Sequence, residues 1–311
     1  MFADRIDQTI SDREVGPALA AGRDQGAVAD NEFGRHDDSV IERARADALF
    51  GFYGPDSMMW RINREAVLLG AGPAALLLQV AHPLVAAGVA EHSTFEQDPF
   101  ARLRGTLITT MDLVFGDGRR AEAAVRRLNS VHASVRGEGY RALDPQLLLW
   151  VQITLIKTSV DAYSRWVGPL SAGQLEQFWQ EARQVGTRLG IPLAQSPADW
   201  PALTDYWARM LADDGPIRAT PTARRLSPLI LRPPLPLLPS QVVDLLGVPG
   251  LALLPPRLRD EFGIAWTGRD ESLARAMSAG VRAWTSAVPG PLRWMPQARA
   301  AYRRVAMVRT K

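Results

Sequence analysis

His132 is the residue of this chain with the most chemical promise. It falls on the apolar stripe of the amphipathic segment 119–135, with Ala121, Ala124, Val125, Leu128, Val131 and Val135. Those positions follow the i, i+3, i+4, i+7 rule of a helix with one buried face, so the imidazole is predicted to point inward. Two readings stand for it: a core histidine satisfied by a hydrogen bond, or a metal ligand. No HExxH, paired-histidine or histidine–carboxylate spacing surrounds it, so a bare zinc or non-haem iron site has no other ligands to draw on. A single inward histidine suits a haem, because the porphyrin supplies the other four nitrogens. Arg102 and Thr106 form a second constellation, spaced i, i+4 on one helix face. Spacing alone is satisfied by a surface arginine in a first helical turn. The functional alternative is a guanidinium and a hydroxyl donating together to a bound oxygen, a peroxide or a propionate.

The other histidines promise less. His36 lies in a polar stretch and His82 precedes Pro83 at a predicted helix end. His92 and Ser93 follow an apolar run, but no GxSxG elbow accompanies them, and adjacent residues do not make a catalytic triad. Gly70-Ala71-Gly72-Pro73, after Val67-Leu68-Leu69 and with Glu91 about 20 residues on, imitates a dinucleotide-binding fingerprint. A dinucleotide-dependent oxidoreductase is the remote alternative it raises. Pro73 removes an amide that such a turn offers to phosphate, and no further βα units follow.

The elements that must position these residues read as helices. Ser39 onward is helical in pattern for most of the chain. The stretch 66–90 carries no formal charge and exceeds the ~20 residues of a membrane span. Gly70, Gly72, Pro73, Gln79, His82 and Pro83 interrupt it, so a buried helix divided at Pro83 is expected instead. Asp144-Pro145 starts a helix whose first three turns are uncharged. Ser171 and Gln174 make a capping box for the next, which Gly190 and Pro192 end. Trp200 to Leu211 is another helix. The proline-rich stretch 228–256 is expected to run across the body as an apolar cover. Helix resumes near Glu271, breaks at Pro289-Gly290-Pro291 and ends in a basic segment. The fold class is all-α, a single multi-helix domain over 41–311, with residues 1–40 as a mobile or loosely attached arm.

Composition limits the function. The 311 residues are 47% hydrophobic and 22% charged, as in a folded globular protein. Lys and Arg number 36 against 33 Asp and Glu. The pI of about 9.6 reflects arginine in place of lysine rather than strong positive charge. Nucleic acid is therefore not an expected partner. The chain has no cysteine, which rules out disulfides, iron–sulfur clusters and thiolate ligands. The polar N-terminus has no apolar signal core, so a cytoplasmic protein without a transmembrane span is expected, with peripheral membrane contact left open.

Several separate motifs resemble one family. They are Met58-Met59-Trp60-Arg61, Arg64-Glu65, GAGPAALLLQVAHPLVAAGVAEHSTFEQDPFARLRGT, VFGD at 114–117, Val131-His132 with Gly137, DPQLLLWV at 144–151 and LLPPRLRDEFGIAW at 253–266. Over roughly residues 45–270 the chain resembles the MpaB-type oxygenases (DUF2236), which include the rubber-cleaving latex clearing proteins. The resemblance implies a globin-like helical core, haem b and O2 as co-substrate. It places the proximal iron ligand at His132 and a distal pair at Arg102 and Thr106. The latex clearing branch has a lysine before that threonine; here it is Gly105, so the resemblance implies a distal site that is open or closed by some other group. Glu91 is the nearest counterpart of that branch's glutamate base. The function implied is a haem-dependent oxygenase acting on a hydrophobic small molecule, with oxidative alkene cleavage as one form. A non-catalytic haem carrier or redox sensor is the rival.

Overall fold

The computed structural model describes residues 49–92, 99–232 and 239–309. The arm expected over 1–40, with His36, lies outside them. The described chain is all-α. Its helices are α1 (Met58–Asn63), α2 (Gly72–Val80), α3 (Pro83–His92), α4 (Pro99–Phe115), α5 (Gly118–Ser134), α6 (Pro145–Trp166), α7 (Ala172–Arg188), α8 (Trp200–Leu211), α9 (Pro221–Leu231), α10 (Ser240–Leu251), α11 (Pro256–Glu261), α12 (Gly268–Ala287), α13 (Gly290–Arg293) and α14 (Pro296–Arg309). A 3-10 helix, Ala66–Ala71, precedes α2. Among the described residues the only sheet is the two-residue pair β1 (Arg136–Gly137) and β2 (Tyr140–Arg141), antiparallel.

The central element is α6. Asp144 caps it through a 2.8 Å bond from the Gln146 amide, with Pro145 at the first helical position. Its faces reach all three apolar clusters. Leu149, Ile153, Ile156 and Val160 pack with α1, α4, α7 and α14. Trp150 turns the other way, into α2, α3, α9 and α11. Trp150 is fully buried, its Nε1 donates to the Leu78 carbonyl at 3.1 Å, and its ring stacks on Trp207 at 5.4 Å. Trp150→Ala therefore leaves a cavity and an unpaired carbonyl together. The expected cost is roughly 3–5 kcal/mol, read as a fall in unfolding free energy in urea; a loss under ~1 kcal/mol contradicts this packing.

One expectation, for 228–256, is corrected, and two others hold. The uncharged stretch 66–90 divides before Pro83 as expected, into the 3-10 turn, α2 and α3, with a bend of 104° at the break. No single described helix is long and apolar enough to cross a membrane. Val67-Leu68-Leu69 lie in the 3-10 helix, so the glycine turn lacks the strand that a dinucleotide fingerprint requires. The stretch 228–256 is mostly helical: α9 carries Pro228 and α10 carries Pro249 inside. Proline at 228 withdraws the amide that would bond the Arg224 carbonyl, and Ser227 Oγ takes that carbonyl at 3.0 Å instead.

Arg64 and Glu65 tie the last helices to the body. Glu65 is 2% exposed, between Arg64 at 3.4 Å and Arg293 at 3.3 Å. Arg64 stacks on Trp294, and its carbonyl accepts from the Met295 amide at 2.7 Å. Burial raises the Glu65 pKa, and the two arginines only partly offset it. A raised carboxyl binds its proton better folded than unfolded. Its stabilisation is thus complete below the ordinary glutamate range and is lost as pH rises through the raised value. Arg293→Ala removes one of the two offsets. Its stability deficit should be small near pH 4 and grow toward neutrality to roughly 3–5 kcal/mol. Urea unfolding of both proteins across that range tests it; a pH-independent deficit contradicts it.

Candidate functional site

The site is built on the hairpin of α4 and α5. Gly116 and Asp117 join them, with Asp117 capping α5 through the Arg120 amide at 2.9 Å. This short turn folds α5 back along α4. Arg102 and His132 lie at nearly equal separations on either side of the turn, so both reach the same end of the hairpin. The predicted stripe of α5 is buried at Ala121, Ala124 and Val125, but the burial fades toward the helix end. Val131 is 51% exposed and His132 is half-buried, with its Nδ1 shielded from solvent. The imidazole is thus at a border of the core, not deep inside it.

Across the hairpin, Thr106 is exposed and Gly105 half-buried, while Thr109 is buried and bonds the Gly105 carbonyl at 2.9 Å. Arg102 stands one helical turn before Thr106 on the same face of α4; its side chain is outside the described residues. Backbone register is what places the two on one face of α4. Among the described residues no heavy atom lies within 4 Å of where a Cβ on Gly105 would stand, so they leave room beside this face of α4.

The strand pair that follows His132 is pinned to α3. Tyr140 Oη donates to Glu91 Oε2 at 2.7 Å, and His92 Nε2 is 2.8 Å from the Arg136 carbonyl. The His92 and Tyr140 rings meet edge-on at 6.3 Å. A Cβ on Gly137 would stand 2.5 Å from the Tyr140 ring and 2.6 Å from Glu91, which is why only glycine fits there. Burial, then the bond to Glu91, pushes the Tyr140 phenol up to about 12, so it keeps its proton. Tyr140 was not singled out in the sequence; the only local hint is the glycine spacing Gly137-x-Gly139 before an aromatic residue.

The histidines now separate. His82 Nδ1 accepts from the Leu84 amide at 3.3 Å, and burial lowers its pKa although Asp144 works against that. His92 is engaged at the Arg136 carbonyl. Among the described residues no three His, Asp or Glu side chains gather to hold a bare metal ion. One imidazole at the core border, an adjacent helix face with open space and no other ligands suit a group that brings its own nitrogens. The donor set therefore fits a haem. The uncharged helices that could have formed an apolar pocket are core instead: Leu77, Leu78 and Trp150 are buried in one cluster and Ile153 in another. Two surface clefts lie elsewhere. One, of about 270 Å³, is at Met111, Phe115, Arg120 and Arg304; the other, of about 350 Å³, is at Arg165, Ala252 and Arg275.

Residues 59–283 match the family described as ER-bound oxygenase mpaB/B'/Rubber oxygenase, catalytic domain. The match spans α1 through most of α12 and so contains the hairpin and everything packed on it. The chain belongs to this family. MpaB-type and rubber oxygenase domains are thus its relatives by sequence. Two curated mycobacterial proteins described as uncharacterised, one from Mycobacterium bovis and one from Mycobacterium tuberculosis, are each 32% identical over 163 residues. That match covers 47% of this chain and spans 62% of the length of those relatives. No solved structure matches.

Proposed function

We propose that this oxygenase-family domain binds haem b through His132 and uses O2 to oxidise a hydrophobic small molecule, with cleavage of an alkene as the leading form. The observation that carries the reading is the hairpin geometry. It brings a half-buried imidazole at the end of α5 level with Arg102 on α4, beside the open face at Gly105. Haem b, when bound, supplies the iron at which dioxygen is activated. The chain supplies the rest. A neutral His132 provides the ligand nitrogen. Arg102 and Thr106 donate hydrogen bonds where negative charge develops on oxygen, Arg102 as the permanent cation. Tyr140 holds its proton against Glu91, which fixes the strand pair directly after His132 and so the end of α5.

A haem carrier or redox sensor shares the ligand but has no need of the donors. The separating experiment measures oxygen uptake and carbonyl products from apolar alkenes with the haem-loaded protein. Alkene-dependent uptake with carbonyl formation supports the oxygenase. Stable haem with no uptake across alkenes of varied length and branching favours the carrier.

A further inference from the structure

Away from the hairpin, α10 exposes a stripe of large apolar side chains. Val242, Leu245 and Leu246 stand at i, i+3 and i+4 with exposures of 36%, 46% and 56%. The C-terminal end of α10 is pressed onto the 3-10 helix: a Cβ on Gly250 would strike the Gly70 carbonyl. That contact brings Leu69, 51% exposed, alongside the same helix. Asp244, the one acid in the stripe, is held by Arg232 at 2.8 and 2.9 Å, which leaves the stripe itself without net charge.

Charge gathers at its border. Arg165 donates to the Ala252 carbonyl, just past the end of α10, at 3.3 Å. It shares the cleft of about 350 Å³ with Arg275 and Ser278 of α12, which packs on α10. Glu271 also lines that cleft, and its Oε2 accepts from the Trp266 indole at 3.0 Å. Beyond it, Arg282 donates to the Ser164 carbonyl at 3.4 Å. Three guanidinium groups face two carboxylates, Glu271 and the Asp161 that lies beside Arg165, and leave the border net cationic.

We infer that α10 and its arginine border form a docking surface for an anionic phospholipid bilayer. The leucines would lie among the acyl chains, and a lipid phosphate would sit at Arg165 and Arg275. An apolar helix stripe beside clustered arginines is the pattern of an interfacial helix that reads both apolar depth and negative headgroups. A stable interface with a second copy calls for a broader patch with little charge at its centre. The polar sequence of residues 1–40 has no steady apolar period with which to cover the stripe. The inference stands apart from the haem reading, since none of these residues belongs to the hairpin.

Flotation of the full chain with vesicles tests it, comparing phosphatidylcholine alone with phosphatidylcholine containing phosphatidylglycerol. Binding is expected to the anionic vesicles and to weaken with salt. Leu245→Glu with Leu246→Glu should abolish it. Arg165→Gln with Arg275→Gln should weaken it by roughly five-fold for each arginine removed. The positions are on the surface, and circular dichroism checks that the variants fold. Three results would each overturn the inference: no vesicle binding, equal binding to neutral vesicles, or unchanged binding in either variant. Stabilisation by inorganic phosphate without vesicle binding overturns it in favour of a free anion site. Self-association that the leucine variants abolish, without vesicle binding, overturns it in favour of a second copy.

Discussion

His132→Ala should purify without haem while keeping its helical content. The imidazole is the proposed ligand, and the other described histidines offer no ready substitute. His82 and His92 are each engaged with backbone, at the Leu84 amide and the Arg136 carbonyl. The loss should exceed the roughly 10–100-fold that removing an outer hydrogen-bond partner of a metal ligand costs, because here the ligand itself goes. His132 is half-buried at a helix end, so folding should survive; its removal deletes no core packing of the kind that Trp150 supplies. Exogenous imidazole should restore haem binding in part if the cavity left behind admits it. Retention of haem by the variant at the wild-type ratio would move the ligand elsewhere and leave His132 as a border-of-core histidine.

Arg102→Ala should keep its haem and lose turnover, by roughly 10²–10³-fold if the guanidinium donates to an oxygen that gains charge in the transition state. The predicted fall is in kcat and kcat/KM together, since an interaction made only in the transition state leaves substrate binding unchanged. Thr106→Val should lose less, because a neutral hydroxyl contributes less than a charged donor. Arg102→Lys should recover part of the rate, keeping the charge without the planar fork. Equal rates for Arg102→Ala and wild type on a substrate that both oxidise would reduce Arg102 to a surface residue of the first turns of α4.

The helices were legible where local rules act alone. Asp144-Pro145, the Ser171–Gln174 box and the stop at Gly190 each depend on residues within one turn, and each stands where it was read. The proline-rich stretch misled because a proline penalty can be met by a neighbour, as Ser227 meets it at the Arg224 carbonyl. The uncharged stretch 66–90 showed that it would break but not that the break would turn the chain by 104°. Contacts between distant segments were out of reach. Glu65 meets Arg293, and Glu91 meets Tyr140, through packing that no spacing rule encodes. For the site, the periodicity around His132 correctly named the apolar stripe of α5. It overstated the depth, because a periodic face says which side is buried and not where along the helix the neighbouring elements end. The same limit applies to Thr106, which its register with Arg102 placed on a shared face and the structure leaves exposed.

The proposed function turns on whether this chain binds haem. The most direct measurement is the absorption spectrum and pyridine haemochrome of the full chain, expressed with a haem precursor. A Soret band is expected, with haem b near stoichiometric with protein. A protein that folds, remains colourless and takes up no added haem would contradict it.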